Sequence, residues 1–361
     1  MIPKTMTAVL LTGHGDTDKL VLRHDVPVPT PKAGEVLIRV AASAVNNTDI
    51  NTRIGWYSKK IEVETSAAAD VAPDENDASW SGVPLQFPRI QGADACGHIV
   101  AVGPGVDSAR IGERVLVRNM LRSYVDYRPY ECWTFGSEID GGFAQFTVAP
   151  AREVFAVRCD WSDAELASVP CAYSTAENML HRAGVKAERV LITGASGGVG
   201  SAAVQLAKRR GAEVIALCGA AKADEVRALG ADQVLERGCD LVKALGRNSV
   251  DVVIDMVGGP GFPPLLDVLR LGGRYAVAGA IAGPICELDL RTVYLKDLTL
   301  YGCTFQEDAV FANLVTYIEA GEIRPTVART YPLSEIAAAQ ADFLTKSHTG
   351  KLVLLPPKVT E

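Results

Sequence analysis

The segment best suited to chemistry in this 361-residue chain is Gly194-Ala195-Ser196-Gly197-Gly198-Val199-Gly200. An apolar stretch, Val190 to Thr193, runs into it, and a helical stretch follows from Ser201. Glycines let a backbone turn tightly and approach a ligand closely. A helix N-terminus adds free N–H groups and the positive end of its dipole. Together these hold the pyrophosphate of a dinucleotide. The next apolar stretch ends at Leu217-Cys218-Gly219-Ala220-Ala221-Lys222. Chains that bind NAD carry an acid there for the ribose 2′-hydroxyl. Here no carboxylate is available, small residues leave room, and Lys222 can pair with a 2′-phosphate, so the dinucleotide expected is NADPH. Asp224 and Glu225 come later and read as solvent-facing; Arg237 reads as a second cation or a solvated surface group.

The eight cysteines, at 96, 132, 159, 171, 218, 239, 286 and 303, include no C-x2-C pair. That argues against a zinc ribbon, a thioredoxin-type site and a disulfide framework, and for buried reduced thiols. Hydrophobic residues make up 48% and charged residues 22%, enough apolar material for two buried cores. A net charge of -7 gives nucleic acid no electrostatic purchase. No apolar run reaches the roughly 20 residues that span a bilayer. The opening residues lack a long apolar region and a small-residue cleavage site. The expectation is a cytoplasmic protein acting on a small molecule, with neither nucleic acid nor membrane as partner.

These residues need elements to position them. Up to about residue 155 the chain is β-rich, with short β-branched runs at 35–45, 97–103, 113–118 and 142–150 punctuated by Gly and Pro. From about 156 the rhythm changes. Strand patterns at 189–194, 213–219, 251–258 and 273–279 alternate with helical ones at 201–211, 223–230 and 264–272. Strand, helix, strand at that pace predicts an α/β fold with a parallel sheet covered on both faces. A helix at 309–321, the stretch 329–350 and a final strand from Lys351 close the chain. The segment from about Ser58 to Ser81 is rich in Ala, Asp, Glu and Ser, and reads as a mobile surface loop or a lid over the site. The segment 118–140 carries three arginines among tyrosines and Trp133, and reads as an arm packed on a neighbouring subunit or domain, or as part of a substrate pocket.

In this order, several features resemble the medium-chain dehydrogenase/reductase superfamily over nearly the whole chain. They are Asn46-Asn47-Thr48-Asp49, Gly92-Ala93-Asp94-Ala95-Cys96-Gly97, Gly141-Gly142-Phe143-Ala144, Cys171 to Ala176, the glycine turn, the runs 251–259 and 271–279, 298–305, and Gly350 to Leu354. The resemblance implies a GroES-like β-rich catalytic domain (1–155 and 322–361) and an inserted Rossmann domain with a doubly wound parallel sheet (156–321). It implies a cleft between them where nicotinamide and substrate meet. Cofactor contacts then fall at Thr175, at Gly194, Ala195, Ser196, Gly197, Gly198 and Val199, at Cys218, Gly219 and Lys222, and at Val257, Gly258, Ala278 and Gly279. The stretch 298–302 resembles the edge strand that joins two such sheets, which implies a homodimer.

Zinc alcohol dehydrogenases of the superfamily hold the catalytic metal with a Cys, a His and a second Cys or Asp. Matched by position, these become Asn46, Ala93 and Cys171. An amide and a methyl group cannot supply two of the three protein ligands such a site needs. No metal is expected. The resemblance is closest to the quinone oxidoreductase and enoyl reductase branches, which reduce a quinone or an α,β-unsaturated carbonyl. There a Tyr follows the Asn-x-x-Asp turn, so Tyr57 matches a proton donor or oxyanion stabiliser. Asn46 would then hydrogen-bond substrate or nicotinamide, and Asp49 would orient the loop. Two other readings remain open: a zinc-type alcohol dehydrogenase with substitute ligands, and a non-catalytic NADPH-binding member.

Overall fold

A computed structural model describes residues 2–359. The first half is built on a seven-stranded sheet. Its order runs Val154–Ala156 (β10), Arg114–Val117 (β6), Cys96–Val102 (β5), Glu35–Ala44 (β3), Lys351–Leu355 (β18) and Val327–Pro332 (β17), with Phe146–Pro150 (β9) also paired to β3. A second sheet orders Leu20–Pro27 (β2), Thr5–Leu11 (β1) and Arg89–Ile90 (β4). Met120–Leu121 (β7) and Trp133–Thr134 (β8) form a small ribbon. Strand β3 explains the packing. Val36 and Ile38 enter one core, Leu37 a second, and Ala42 and Ala44 a third. A strand covered on both faces needs apolar residues at nearly every position, and β3 has them.

The second half is a six-stranded parallel sheet in the order Gln233–Glu236 (β13), Glu213–Cys218 (β12), Arg189–Ile192 (β11), Val250–Asp255 (β14), Leu269–Val277 (β15) and Thr299–Gly302 (β16). This is the 3-2-1-4-5-6 order of a doubly wound dinucleotide fold. The central strands alternate between its two faces. Val190, Ile192, Val214, Ala216, Val252 and Ile254 point into one core; Leu191, Ile215 and Val253 point into the other. Burying each such side chain contributes roughly 1.5–3 kcal/mol.

The helices are Asn47–Ile54 (α1), Asp163–Ala167 (α2), Pro170–Arg182 (α3), Gly198–Arg209 (α4), Ala223–Ala228 (α5), Leu241–Leu245 (α6), Phe262–Val268 (α7), Leu290–Leu295 (α8), Asp308–Glu319 (α9) and Ile336–Thr345 (α10). Ala42, Ala44 and Val353 of the first sheet share a core with residues of α2, α3 and α4. The two halves therefore meet through a common apolar interior. The chain's end returns to the first half, because Val353 and Leu354 pair with Ala44 and Ser43.

Three local differences from the sequence reading have physical causes. The run 142–150 becomes a strand only from Phe146. Before it, the amides of Gly142 and Phe143 bond to the carbonyls of Gly92 and Gln91, so this backbone lines the 90–94 loop. Helix α7 stops at Val268 and β15 starts at Leu269, which places Gly272 and Gly273 inside the strand. The 58–81 segment is a loop with an apolar anchor. Ile61 and Ala68 pack on Ile50 and Ile54 of α1, and the Thr65 amide reaches the Ile281 carbonyl of the second half. The 118–140 arm is no such difference: it reaches the second half of the chain, where Arg118 and Arg122 both pair with Asp308 of α9.

Candidate active site and cofactor turn

The turn after β11 has the features a pyrophosphate cradle needs. Gly194 sits at φ +58, where a β-carbon is disfavoured. At Gly200 an added β-carbon would lie 2.2 Å from the Gly194 carbonyl oxygen, so only glycine lets α4 begin this close to the strand. Gly197 caps α4 without a side-chain partner, leaving the amides of the first helical turn free for an anion. The remaining expected cofactor positions collect on the same edge of the sheet. Cys218 ends β12 and Gly219 and Lys222 follow it; Val257 and Gly258 follow β14; Ala278 and Gly279 follow β15. Ligands of open parallel sheets bind at these carboxyl ends. The buried Asp255 carboxylate shapes this edge. It accepts from Thr193 Oγ1 at 2.5 Å and from the Val257 amide at 2.8 Å, fixing the 255–258 turn. The Lys222 ammonium donates to the carbonyls of Lys346 and His348, so it links β12 to the C-terminal segment. Burial and neighbouring Arg237 hold its pKa below the usual lysine range.

Thr175, on the inner part of α3, leads to a second group of residues, and these come from far apart in sequence. Asn46 caps α1, and the Asp49 carboxylate reaches back to the Asn46 amide at 2.8 Å and to the Ala93 amide at 3.0 Å. Asp49 is buried, and desolvation, with a further push from Asp94, raises its pKa to about 7; the Asn46 and Ala93 amides and the Lys351 charge pull the other way. Asp94 is fully buried. It accepts the Cys171 amide at the start of α3 at 2.6 Å, the Asn46 amide nitrogen at 2.7 Å and the Lys351 ammonium at 3.2 Å. Lys351 also donates to Asn46 Oδ1. Burial pushes the Cys171 thiol upward, with Asp94 adding to the shift, so the thiol stays protonated.

Tyr57 follows α1 and joins this group through Thr48. Its hydroxyl donates to Thr48 Oγ1 at 2.9 Å, and its ring meets Trp80 edge-on at 4.8 Å. Burial raises its pKa well above the usual phenol range, which keeps the proton on the oxygen. With the phenol proton donated to Thr48, the Thr48 hydroxyl hydrogen is the one left to meet an oxygen that gains negative charge.

One expected role changes. Both Asn46 amide hydrogens are used, on Ala44 O and Asp94, and its oxygen is taken by Lys351. The side chain has no donor left for substrate or nicotinamide, and its place in the site is to hold Asp94 and Lys351. The Asp49 carboxylate is bonded to two backbone amides, those of Asn46 and Ala93. The sequence reading missed Thr48, Asp94 and Lys351 as site residues. Each carried a signal: a charge within the small-residue run 92–97, a charge opening the apolar run 351–355, and a hydroxyl one residue from Asp49.

The fold and this edge-on cofactor site define an oxidoreductase that uses a nicotinamide dinucleotide. The alcohol dehydrogenase GroES-like domain model matches residues 32–158, and the zinc-binding dehydrogenase model matches residues 198–320. The quinone oxidoreductase of Homo sapiens is 31% identical over 371 residues, covering 98% of each chain. The acryloyl-coenzyme A reductase of Metallosphaera sedula is 29% identical over 362 residues, covering 97% of this chain and 99% of that one. A crystal structure from Sinorhizobium meliloti 1021, provisionally named an alcohol dehydrogenase, matches with TM-score 0.88 at 50% identity over 99% of this chain and 98% of that one. The chain belongs to the medium-chain dehydrogenase/reductase superfamily, in its quinone oxidoreductase branch.

Proposed function

We propose that this protein is an NADPH-dependent, zinc-independent reductase of quinones or α,β-unsaturated carbonyls, with a catalytic unit of 1–155 plus 322–361 around an inserted unit of 156–321. The observation that carries the reading is the Asn46–Asp94–Lys351 cluster. At the positions matched to metal ligands stand an amide committed to an ammonium and a methyl group, and among the described residues no three His, Cys, Asp or Glu side chains group closely enough to hold a metal. The human quinone oxidoreductase and the acryloyl-coenzyme A reductase support the acceptor class by their names.

When bound on this turn, NADPH would supply the hydride for a C–H bond at the substrate's electrophilic carbon. The chain does the rest. The glycine turn and the strand ends after β12, β14 and β15 hold the dinucleotide, with Lys222 beside the 2′-phosphate. Thr48, which accepts the Tyr57 proton, donates its own hydroxyl hydrogen to the substrate oxygen as it takes the electron pair, and a proton relayed from solvent through Tyr57 and Thr48 completes the reduction.

The same reading places the protein in the cytoplasm, in keeping with eight free cysteines. It also makes the protein a homodimer joined at β16. Leu290, Leu295 and Leu300 expose apolar surface beside that edge. Leu295→Glu with Leu300→Glu should halve the mass measured by light scattering, and an unchanged mass would remove the dimer at this edge. The main test is NADPH oxidation across quinones, enals, enones and aldehydes, with and without chelator. Chelator-resistant turnover of a quinone or enone is the expected result. Activity that needs stoichiometric zinc would overturn the reading.

A further inference from the structure

We propose that Lys351 is the positioning residue of this active site, setting the substrate-side groups in register with the cofactor turn. It opens the run Lys351-Leu352-Val353-Leu354, in which all four residues are buried. An ammonium taken out of water costs several kcal/mol unless paired, and an apolar residue of similar size usually fills such a place as well or better. A lysine here therefore points to a role other than stability.

The path of the side chain suggests that role. At its start, the Gly350 amide bonds to the Ser196 carbonyl of the glycine turn at 3.0 Å. The stem then crosses the first turn of α4. A β-carbon on Gly198 would lie 2.8 Å from Lys351 Cδ, so this glycine makes room for the lysine. At its end, the ammonium meets Asn46 Oδ1 and Asp94 Oδ2. Asn46 begins the helix that carries Thr48 and Asp49 and leads to Tyr57. Asp94 holds the Cys171 amide, one turn before Thr175. One side chain thus passes the cofactor turn and meets the start of α1, and through Asp94 it reaches the start of α3. A displacement of about 1 Å between reacting groups costs on the order of 100-fold in rate.

The titratable groups facing the ammonium are Asp94, Asp49, Cys171 and, beyond Thr48, Tyr57. Lys351 lowers the pKa of Asp49 and Asp94 raises it. Removing the lysine charge should therefore move Asp49 titration to higher pH, and removing the Asp94 charge should move it to lower pH.

The inference rests on the reductase reading for its kinetic assay. In that assay Lys351→Met should lower kcat about 100-fold while KM for NADPH changes less than about fivefold. Lys351→Arg, which keeps the charge, should recover at least about tenfold of the loss. Asp49 titration, followed by the ¹³C resonance of its carboxyl in dinucleotide-free protein, should shift upward in Lys351→Met. A kcat within about threefold of wild type, or a lower melting temperature with unmoved titration, would overturn the proposal. If Lys351→Met does not fold, Asp94→Asn decides: a downward Asp49 shift with lowered kcat supports the proposal, and no shift sinks it. Wild-type protein that turns over no acceptor removes the reductase reading alone, because the Asp49 titration still tests Lys351.

Discussion

The cofactor turn and the cluster around Asp94 serve one site but are built in different ways. The turn is local: seven consecutive residues and the helix they start present backbone amides to a ligand. The cluster is assembled: the side chains of Asn46, Asp94 and Lys351 and the backbone amide of Cys171 come from four segments. A backbone device depends on what must be absent, the β-carbon. A side-chain device depends on which partners the fold brings together. The two should therefore fail differently.

The largest effect should come from the turn. Gly200→Val forces a side chain into the Gly194 carbonyl, a clash that no rotamer relieves. It should cost about 1–3 kcal/mol or more of stability and abolish dinucleotide binding. Thermal melting and NADPH fluorescence titration check both; retained binding would mean the turn is not the cradle. On the other side, Tyr57→Phe removes one hydroxyl and leaves the ring against Trp80. It should lower kcat about 100-fold with stability and NADPH affinity near wild type, a split that steady-state kinetics reads directly. Loss of binding instead would move Tyr57 into the cofactor site.

A smaller effect sharpens the cofactor reading. Lys222→Ala should weaken NADPH about tenfold more than NADH, the worth of one charge-assisted contact. Equal weakening would mean that Lys222 acts only through the Lys346 and His348 carbonyls it already holds. The mildest test is pH. An aspartate with a folded-state pKa near 7, against an ordinary value of 3.8, favours the folded state most when protonated. Stability from this group is present at low pH, falls as pH rises between those values, and levels off above 7, by on the order of 1–4 kcal/mol. Melting at pH 5 and pH 8 should show this decline in wild type and a smaller one in Asp49→Asn.

Much of the second half was legible in the sequence. Its strands are apolar runs because both faces are covered, and its turn is a contiguous motif, so period and composition were enough. Strand β13 was missed because it is short and lies at the sheet's edge, and helix α6 because it has only five residues; Gln233, Glu236 and Lys243 blur the apolar pattern in both. The 58–81 loop shows the opposite limit. Its composition reads as solvent-facing, yet one isoleucine and one alanine, with Val71 beside them, are enough to seat it on α1. Composition counts residues and cannot say which few of them find a partner.

By itself the sequence determined the dinucleotide turn, the parallel sheet behind it and the lack of a matched set of metal ligands. All of these are written in neighbouring residues or in residue type. Only the tertiary structure decided what Asn46 does. Read alone, it was a free amide for substrate; in the fold its hydrogens and oxygen are consumed by Ala44, Asp94 and Lys351. Lys351 lies 305 positions from Asn46, and no local pattern reports such a pair. The hydrogen-bonding capacity of a side chain is a local property, but whether it remains available depends on what the whole chain folds against it.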